Sequence, residues 1–415
     1  MPDNKSKIIW YCHPYAGAPS LGMSYRPYYL TREFSKAGHN AFVIAASFHH
    51  LLRDPIEQST PVRLCDVDGV SFITLKTRTY QGNGAGRFAN MLEYARRFKK
   101  HFKAILALTG KPDVIIVSSA HPFHYPVLAG LAKRLKAKLI FEVRDLWPKS
   151  LQELMNIPAW HPLVLWLAYI EKRALRNADE VVTVLNGAFP YMRQKGLSKE
   201  RFHVIPNGTS LDETEAKASV NDELLKLIQD KKRAGQFLIG YAGALGRPNA
   251  MQYFLEAFVI LAAQKKPMHA FIVGEGHLKN ELIAFAKSHQ LDNVTFYPAI
   301  PKAQVQAFLN QMDALYLGWN QAEIYRYGVS PNKMFDYMRA ARPILESGGA
   351  KTGIVDETGC GFRCEAENPA AIAGLVTQVM ALSEAERDAM GQKGFDEIHK
   401  KYDYQILARQ YAALF

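Results

Sequence analysis

The residue types with the clearest chemical meaning follow one another near residue 330, where a helix is predicted to begin. Ser330 and Pro331 are residue types preferred at the N-cap and the first position of a helix. Asn332 and Lys333 come next, which puts a lysine in the first turn, where the helix dipole disfavours a cation. A bound anion would account for that lysine, and Asp336 on the same face would then suit the hydroxyl groups of a ribose. The alternative is a surface ion pair between Lys333 and Asp336.

A glycine-containing loop is predicted earlier in the same half of the chain, after an apolar strand. It carries Gly243, Leu245, Gly246 and Arg247. The two glycines would let the backbone approach a phosphate closely, and the arginine would add charge-assisted contacts. A plain tight turn explains the same residues equally well.

A second loop of this kind contains Gly274, Glu275 and Gly276, directly after the predicted strand 269–273. Backbone groups in such a turn can hydrogen-bond a flat ring. We therefore expect this loop to contribute to a pocket for a nucleotide base.

Polar residues also end two predicted strands in the first half of the chain. His121 follows the strand 114–118, where a histidine could hydrogen-bond a sugar or relay a proton, or could be structural. The next strand ends in a charged run that contains Glu142, Arg144 and Asp145. Charged residues in a strand that should be apolar are predicted to be paired, functional or both.

No metal site is predicted. Asp66 and Asp68 have the D-x-D form of metal-dependent sugar transferases, but Asp68 precedes a glycine and a strand, which is typical of a turn. Cys360 and Cys364 have no neighbouring Cys/His pair that would complete a zinc site.

Apolar strands alternate with helical stretches along both halves, the pattern of parallel α/β folding. We predict two Rossmann-like domains that face each other across a cleft. The first spans residues 1–210 and the second spans 211–395, with a final helix at about 396–415 that packs back on the first. Strands are predicted at 8–11, 40–45, 70–75, 114–118, 139–143, 180–184, 202–205, 237–242, 269–273, 294–297, 314–317, 343–345 and 362–364.

The net charge of +12 over 415 residues is unevenly distributed. Residues 1–210 hold 29 Lys and Arg against 15 Asp and Glu, whereas residues 211–415 hold 22 against 24. The segment 87–108 has apolar residues at helical spacing and a basic opposite face. Such a helix indicates either a contact with an anionic membrane surface or a solvated outer helix. The basic residues are Arg96, Arg97, Lys99, Lys100 and Lys103.

Other segments bear on location. The apolar run 162–170 is too short to span a membrane, and we interpret it as a buried helix. Residues 1–7 lead into a strand without the features of a signal peptide, so we expect a cytoplasmic protein.

Taken in order, the motifs resemble glycosyltransferase family 4, whose members have the GT-B fold. They are closest to bacterial transferases of the N-acetyl-L-fucosamine type that build O-antigen and capsule. The resemblance extends over nearly the whole chain, at 13–17, 22–27, 118–123, 141–148, 204–208, the Gly243 loop, 274–276 and 330–333 with Asp336.

The resemblance implies a retaining, metal-independent transfer from a nucleoside-diphosphate sugar. The expected donor is a UDP-sugar, with an N-acetylated 6-deoxy sugar as one form. It places His121 near the transferred sugar, the Gly243 loop and Arg247 at the diphosphate, Glu275 near the base and Asp336 at the ribose. Arg247 and Lys333 would then stabilise the charge that develops on the leaving diphosphate.

The chain departs from the family pattern at one position. Gly328 stands where the family has the first of two glutamates, eight residues before Asp336. Glu323 is a conceivable substitute.

The resemblance also implies that the first domain takes a glycan carried on a polyprenyl diphosphate. Its acceptor-side candidates are Gly17, Gly22, Arg26, Arg144 and Asp145. A lipid-borne acceptor favours the membrane interpretation of the basic helix and predicts a peripheral protein at the inner face of the plasma membrane.

Alternatives remain at this point. A sugar-nucleotide epimerase or a transferase with a soluble acceptor would have the same fold. From another class, the basic charge is compatible with a nucleic-acid-binding protein, although no binding module is recognisable and no nucleic-acid partner is expected. An inactive sugar-nucleotide sensor is the third alternative.

Overall fold

The computed structural model describes residues 5–53, 55–82, 84–212, 219–350 and 353–415. They form two units. Unit 1 comprises the chain up to Pro206 together with Tyr404–Phe415, and unit 2 comprises Asn207–Asp403. The divisions thus fall at 206 and 403 rather than at 210 and 395, and residues 396–403 stay with unit 2.

Unit 1 has one sheet, which contains eight strands in the described part of the chain, in the order β3-β4-β2-β1-β5-β6-β7-β8. The pairing of β3 with β4 is antiparallel and the other pairings are parallel. The strands are β1 (Ile8–Cys12), β2 (Asn40–Ala46), β3 (Val62–Val67), β4 (Val70–Leu75), β5 (Val114–Ser119), β6 (Lys138–Val143), β7 (Glu180–Thr183) and β8 (Phe202–Val204).

Strand β3 was not predicted, because it is an edge strand that exposes polar side chains and lacks a continuous apolar run. The turn predicted at Asp68 is confirmed. Asp68 and Gly69 have φ values of 50° and 79° and join β3 to β4, as a two-residue hairpin turn requires. Asp66 accepts a hydrogen bond from the Gly69 amide at 3.0 Å, so its carboxylate supports this turn.

Helices connect the strands of unit 1. They are α1 (Arg26–Lys36), α2 (Ala85–Thr109), α3 (Tyr125–Leu135), α4 (Lys149–Met155), α5 (Pro162–Asn177) and α6 (Phe189–Gln194). The interpretation of 162–170 as a buried helix was wrong for one face of α5. Val164, Leu167 and Ile170 are buried, but Leu165 and Tyr169 are exposed, because α5 lies at the surface and packs only one side.

The basic amphipathic helix is observed as α2, with Tyr94, Phe98 and Ile105 buried on its apolar side. Arg97 is part-buried and forms an ion pair with Glu93, four residues earlier, at 2.9 Å. The four other basic side chains of the set are exposed: Arg96, Lys99, Lys100 and Lys103.

Unit 2 has a six-stranded parallel sheet within the residues described, in the order β11-β10-β9-β12-β13-β14. Alternate residues of its strands enter two apolar cores, one on each face, which explains their nearly continuous apolar sequences. The strands are β9 (Phe237–Ala242), β10 (Met268–Val273), β11 (Val294–Tyr297), β12 (Ala314–Gly318), β13 (Ile344–Ser347) and β14 (Gly361–Cys364). The helices are α7 (Asp222–Arg233), α8 (Met251–Ala263), α9 (Lys279–Ser288), α10 (Lys302–Leu309), α11 (Asn332–Arg339), α12 (Ile354–Thr358), α13 (Pro369–Met380) and α14 (Glu384–Glu397).

The last helix, α15 (Tyr404–Ala412), belongs to unit 1. Leu407 and Tyr411 are buried in the unit 1 core, and the Tyr404 ring stacks on Tyr29 with ring centres 4.8 Å apart. Among the helices of the described residues, none combines the length and the apolar character needed to cross a membrane.

Candidate active site

The loops that follow β9 and β10 are joined at the carboxyl edge of the unit 2 sheet. The Gly243 amide donates to the Val273 carbonyl at 3.0 Å, and the Leu245 amide donates to the Glu275 carbonyl at 2.8 Å. The strand pairing therefore continues beyond the ends of both strands, and the two predicted loops form one structure.

Glycines are required for this approach. A Cβ on Gly274 would lie 1.9 Å from the Gly243 carbonyl oxygen, and one on Gly276 would lie 2.1 Å from the Leu245 carbonyl oxygen. Both distances are far shorter than van der Waals contact. Gly274 and Gly276 therefore have a packing role, whatever the loops bind.

Lys333, in the first turn of α11, reaches the loop after β9. A Cβ on Gly243 would lie 2.7 Å from Cδ of Lys333, so the lysine side chain lies directly against this glycine. Its ammonium donates to the Tyr241 hydroxyl at 3.0 Å and to Oδ1 of Asn249, and it lies 4.6 Å from the centre of the Tyr241 ring. The structure thus brings together two motifs that are 90 positions apart in the chain.

The charge of Lys333 has only neutral partners in this arrangement. Burial lowers the pKa of Lys333 to about 7. Within the described residues it forms no ion pair, so the alternative of a surface ion pair between Lys333 and Asp336 is not observed. An anion placed beside the ammonium would stabilise its protonated form.

Asp336 is paired with a different lysine. Nζ of Lys302, the first residue of α10, lies 2.7 Å from each carboxylate oxygen. The predicted contact with a ribose is therefore one that this carboxylate would share with Lys302. Nothing in the sequence pattern pointed to Lys302.

Ser330 is not the N-cap, contrary to the sequence prediction. The helix begins one residue later than predicted, with Pro331 at the N-cap, and its first turn receives no cap from a described side chain. Oγ of Ser330 instead accepts a hydrogen bond from the Asn207 amide at 2.9 Å, and its carbonyl accepts from the Asn207 side chain. Ser330 therefore anchors the start of unit 2, while the first-turn amides around Asn332 remain without a side-chain acceptor.

Two predicted donor residues lie near this edge but point to solvent. Arg247 begins a single 3-10 turn and is exposed. Glu275 is 59% exposed at its side chain and pairs with Lys279 at 2.7 Å. His277, which the sequence did not single out, lies against Gly246, where an added Cβ would be 3.3 Å from Cε1 of the histidine.

Gly328 has a φ of 104°, which favours glycine over the glutamate found in the family. It ends the 3-10 turn that contains Glu323. The Glu323 side chain is 76% exposed and pairs with Arg326 at 3.1 Å. In the part of the chain that the structure describes, no contact makes Glu323 a replacement for the missing acid.

In unit 1, His121 lies immediately after β5 and is completely buried. Neither ring nitrogen has a hydrogen-bond partner within the described residues. Burial, with His124 and Arg87 acting in the same direction, holds the pKa of His121 well below its ordinary value. The ring is therefore neutral near pH 7 and suited to hydrogen bonding, not to carrying a positive charge.

Arg26 is a structural residue in this fold, which corrects its expected contact with an acceptor. It is completely buried, and its Nε lies 2.9 Å from Glu142. Its remaining donors bind the carbonyl groups of Ile205 and Pro206. No donor of Arg26 is directed to solvent, because every nitrogen has a partner.

The other acceptor-side candidates are loop residues. Gly22 has a φ of 127°, and a Cβ on Gly17 would lie 1.9 Å from the Gly22 carbonyl oxygen, so both glycines are needed for loop packing. Nη1 of Arg144 lies 3.0 Å from Nε2 of His13 and donates to the Ser24 hydroxyl at 2.7 Å.

The side chain of Asp145, next to Arg144, is exposed. Desolvation nevertheless raises the pKa of this carboxyl, and Arg144 acts to lower it, so the group is exposed without being fully solvated.

Metal-ligand residues are not clustered in the part of the chain that the structure describes. No group of three or more His, Cys, Asp or Glu side chains there could hold an ion.

Known proteins resemble this chain over most of its length. A glycosyl transferase 4-like domain model matches residues 22–208, and a glycosyl transferases group 1 model matches residues 236–381. The probable glycosyltransferase WbjE of Pseudomonas aeruginosa is 25% identical over 287 residues, which is 66% of this chain and 67% of that protein. The chain belongs to the GT-B glycosyltransferases.

Solved structures agree with this family assignment at the level of the fold. Sucrose-phosphate synthase from Thermosynechococcus elongatus has a TM-score of 0.72 at 17% identity. The match covers 98% of the present chain and 97% of the synthase chain. The Anabaena protein HepE, solved in complex with UDP and glucose, has a TM-score of 0.65 at 14% identity and covers 98% of both chains. The predicted fold class and enzyme class are confirmed.

Proposed function

We propose that this glycosyltransferase takes its sugar from a UDP-sugar bound at the carboxyl edge of the unit 2 sheet. The observation that carries the proposal is the ammonium of Lys333, which lies against Gly243 and whose partners among the described residues are all neutral. A lysine in this position has lost solvation without gaining a counter-charge. A diphosphate would supply that charge.

The proposed chemistry is transfer with retention of the anomeric configuration and without a metal ion. As the bond between the sugar and the diphosphate breaks, negative charge grows on the leaving oxygen. Lys333, the first-turn amides of α11, which no described side chain caps, and the exposed Arg247 would stabilise it. His121 of unit 1, neutral and with unused ring nitrogens, is our candidate for hydrogen bonding to the transferred sugar.

Two structural neighbours support UDP as the nucleotide of the donor. HepE of Anabaena was solved with UDP and glucose, and a trehalose-6-phosphate protein of E. coli was solved with UDP-2-fluoro glucose. The loop at Glu275 is where we place the base and Asp336 is where we place the ribose. Lys302 would then orient the Asp336 carboxylate through the two contacts at 2.7 Å.

The proposed acceptor is a glycan on a polyprenyl diphosphate, taken up by unit 1 during synthesis of a surface polysaccharide such as O-antigen or capsule. The sugar that we propose is transferred is an N-acetylated 6-deoxy sugar. The exposed cations of α2 support attraction to an anionic membrane, which would place the enzyme at the inner face of the plasma membrane. Arg144 and Asp145 remain the acceptor candidates at the β6 end.

Thermal melting of the full chain with UDP, GDP, dTDP and CMP tests the donor site. A ligand at about 100 times its Kd stabilises the folded state by about 2.7 kcal/mol, enough for a shift of several degrees. We expect UDP to give such a shift and CMP to give none. The proposal fails if none of the four nucleotides changes the melting temperature.

A further inference from the structure

Exposed apolar side chains of unit 1 are concentrated in one short stretch. Among the described residues twelve large apolar side chains are exposed, and five of them lie within residues 155–169. They are Met155, Trp160, Leu165, Trp166 and Tyr169, with exposures of 63%, 74%, 58%, 42% and 57%. These five side chains are called the α5 patch below. Scattered apolar residues are ordinary on a protein surface, whereas a contiguous apolar surface marks an interaction site, and Leu165, Trp166 and Tyr169 are neighbours on one face of α5.

The outward face of α5 changes character along the helix. Its first half exposes Leu165, Trp166 and Tyr169, while its second half exposes cations at the spacing that continues the same face. These cations are Lys172, Arg173 and Arg176. The outward face of a surface helix is normally polar along its whole length, so the apolar first half of α5 departs from that pattern.

The charge of this face is entirely positive because its one acid is turned inward. Glu171 is the single acidic residue of α5. It is 3% exposed, accepts a hydrogen bond from the Tyr191 hydroxyl at 3.0 Å and forms an ion pair with Lys195. An anionic surface would therefore meet no carboxylate of α5.

Ring contacts connect the α5 patch to the basic helix α2. The Trp166 ring lies 4.9 Å from Phe123, which lies 5.5 Å from Phe88 in the first turn of α2. Phe88 is itself 36% exposed. The α5 patch thus adjoins the first turn of α2, the helix whose later turns carry exposed cations, and it is followed along α5 by the cations of that helix.

We propose that the α5 patch enters the interfacial layer of an anionic phospholipid bilayer, while the cations of α5 and α2 lie over the headgroups. Trp and Tyr are the residues enriched at the boundary between lipid and water, and Lys and Arg are attracted to anionic lipids. A bilayer fits better than a second copy of the chain, because two copies would bring like charges together. This inference deepens the proposed function, since it names the surface that would carry the enzyme to a lipid-linked acceptor.

Sedimentation with vesicles of equal parts phosphatidylglycerol and phosphatidylcholine tests the α5 patch. The variant W160S/L165S/Y169S removes three exposed side chains and keeps Trp166, which packs on Phe123. At high salt, where the attraction of α2 is screened, we expect this variant to bind vesicles about tenfold more weakly or worse. Its melting temperature and its UDP response should match the wild type, since none of the three side chains is buried.

A matched control takes two exposed apolar residues from unit 2. Leu227 and Ile260 are 37% and 38% exposed, and the variant L227S/I260S should bind vesicles like the wild type. Insertion is checked by quenching of tryptophan fluorescence with brominated lipid, which W160F should reduce.

Two results would overturn the assignment of the α5 patch. The first is unchanged vesicle binding by the triple variant. The second is a triple variant that changes from dimer to monomer by light scattering while binding vesicles normally, which would make the patch an interface between copies. Vesicle binding that the triple variant loses, together with no UDP response, would instead contradict the donor site and support the α5 patch.

Discussion

Two charged side chains, the buried Glu142 of unit 1 and the part-buried Lys333 of unit 2, differ in what surrounds them. Glu142 is completely buried, and four donors satisfy its carboxylate: Tyr11, Ser118, Arg26 and Tyr411. Burial alone would raise the pKa of Glu142, but Arg26, Arg144 and these hydrogen bonds outweigh it and hold that pKa at about 2. Lys333 has neutral partners, and burial lowers its pKa to about 7.

The comparison separates a structural charge from a binding charge. The sequence singled out Glu142 as a charge in a strand that should be apolar, and Lys333 as a cation in the first turn of a helix, where the dipole disfavours it. The carboxylate of Glu142 holds β6, α1 and α15 of unit 1 together and has no free capacity. Lys333 destabilises its own surroundings and gains from a ligand that brings negative charge. Although Glu142 is completely buried and Lys333 only part-buried, it is Lys333 whose charge lacks a partner of opposite sign among the described residues.

The largest expected effect is on unit 1. Glu142→Gln leaves the guanidinium of Arg26 buried without its counter-charge, which should lower the free energy of unfolding by about 3–5 kcal/mol. The pKa of Glu142 in the folded protein lies below its ordinary value of 4.5. The ionised carboxylate therefore contributes to the free energy of unfolding above pH 4.5, and this contribution is lost as the pH falls toward 2. Urea unfolding of the variant and the wild type at pH 7 and at pH 3 measures the effect of the substitution and its pH dependence. The loss of unfolding free energy in the variant should be smaller at pH 3.

Glu323→Gln is the control, since Glu323 is in an exposed ion pair. It should change stability by less than about 0.5 kcal/mol. Equal stability of Glu142→Gln and the wild type at pH 7 would contradict the structural role of the network.

Lys333→Met should have the opposite effect, lowering activity without lowering stability. It removes a poorly solvated ammonium, so stability at pH 7 should be unchanged or higher, while kcat/KM falls by about 10²–10³-fold through the lost stabilisation of the diphosphate. Melting temperature and sugar transfer, measured on the same preparation, check this. Lys279→Met, which removes a lysine paired with Glu275 at the same edge, is the matched control. Loss of stability without loss of UDP binding would place Lys333 with Glu142 as a structural charge.

The positions of most strands along the chain could be predicted from the sequence, whereas the contacts between side chains could not. Strands such as β9 and β10 are buried on both faces, so their apolar runs identify them directly. Strand β3 was missed because an edge strand carries no such run. The contact of Lys333 with Gly243 and that of Asp336 with Lys302 depend on which loops the fold brings together, and no spacing in the sequence encodes them.

Proton linkage gives a smaller and more specific test of Lys333. Between pH 7 and the ordinary value of 10.5 the unfolded chain carries a proton that the folded chain lacks, so the contribution of Lys333 to stability rises with pH over this range. A bound diphosphate favours the protonated form. We therefore expect UDP to bind with uptake of a fraction of a proton near pH 8 and to bind more weakly as the pH rises.

Calorimetry of UDP binding in two buffers of different ionisation enthalpy measures that uptake. The uptake should disappear in Lys333→Met. Identical apparent enthalpies in the two buffers for the wild type would show that Lys333 does not change protonation when UDP binds.

The smallest expected effect concerns Glu346 of β13, a buried acid intermediate between the two cases. It is 1% exposed, accepts one hydrogen bond from Trp319 at 3.1 Å and lies 3.6 Å from Arg363. Burial raises the pKa of Glu346 to about 7, although Arg363 and Trp319 act to lower it. Between pH 4.5 and pH 7 Glu346 is ionised in the unfolded chain but still protonated in the folded protein. The free energy of unfolding should therefore fall as the pH rises toward 7.

Glu346→Gln keeps the acceptor for Trp319 and removes the ionisation. It should be more stable than the wild type by on the order of 1 kcal/mol at pH 8 and no different at pH 4.5, as measured by urea unfolding at both values. UDP binding should be unaffected if the donor site is confined to the Lys333 edge. A lower stability at pH 8 would mean that the Glu346 carboxylate is satisfied like that of Glu142, because only a well-paired anion is missed when its charge is removed.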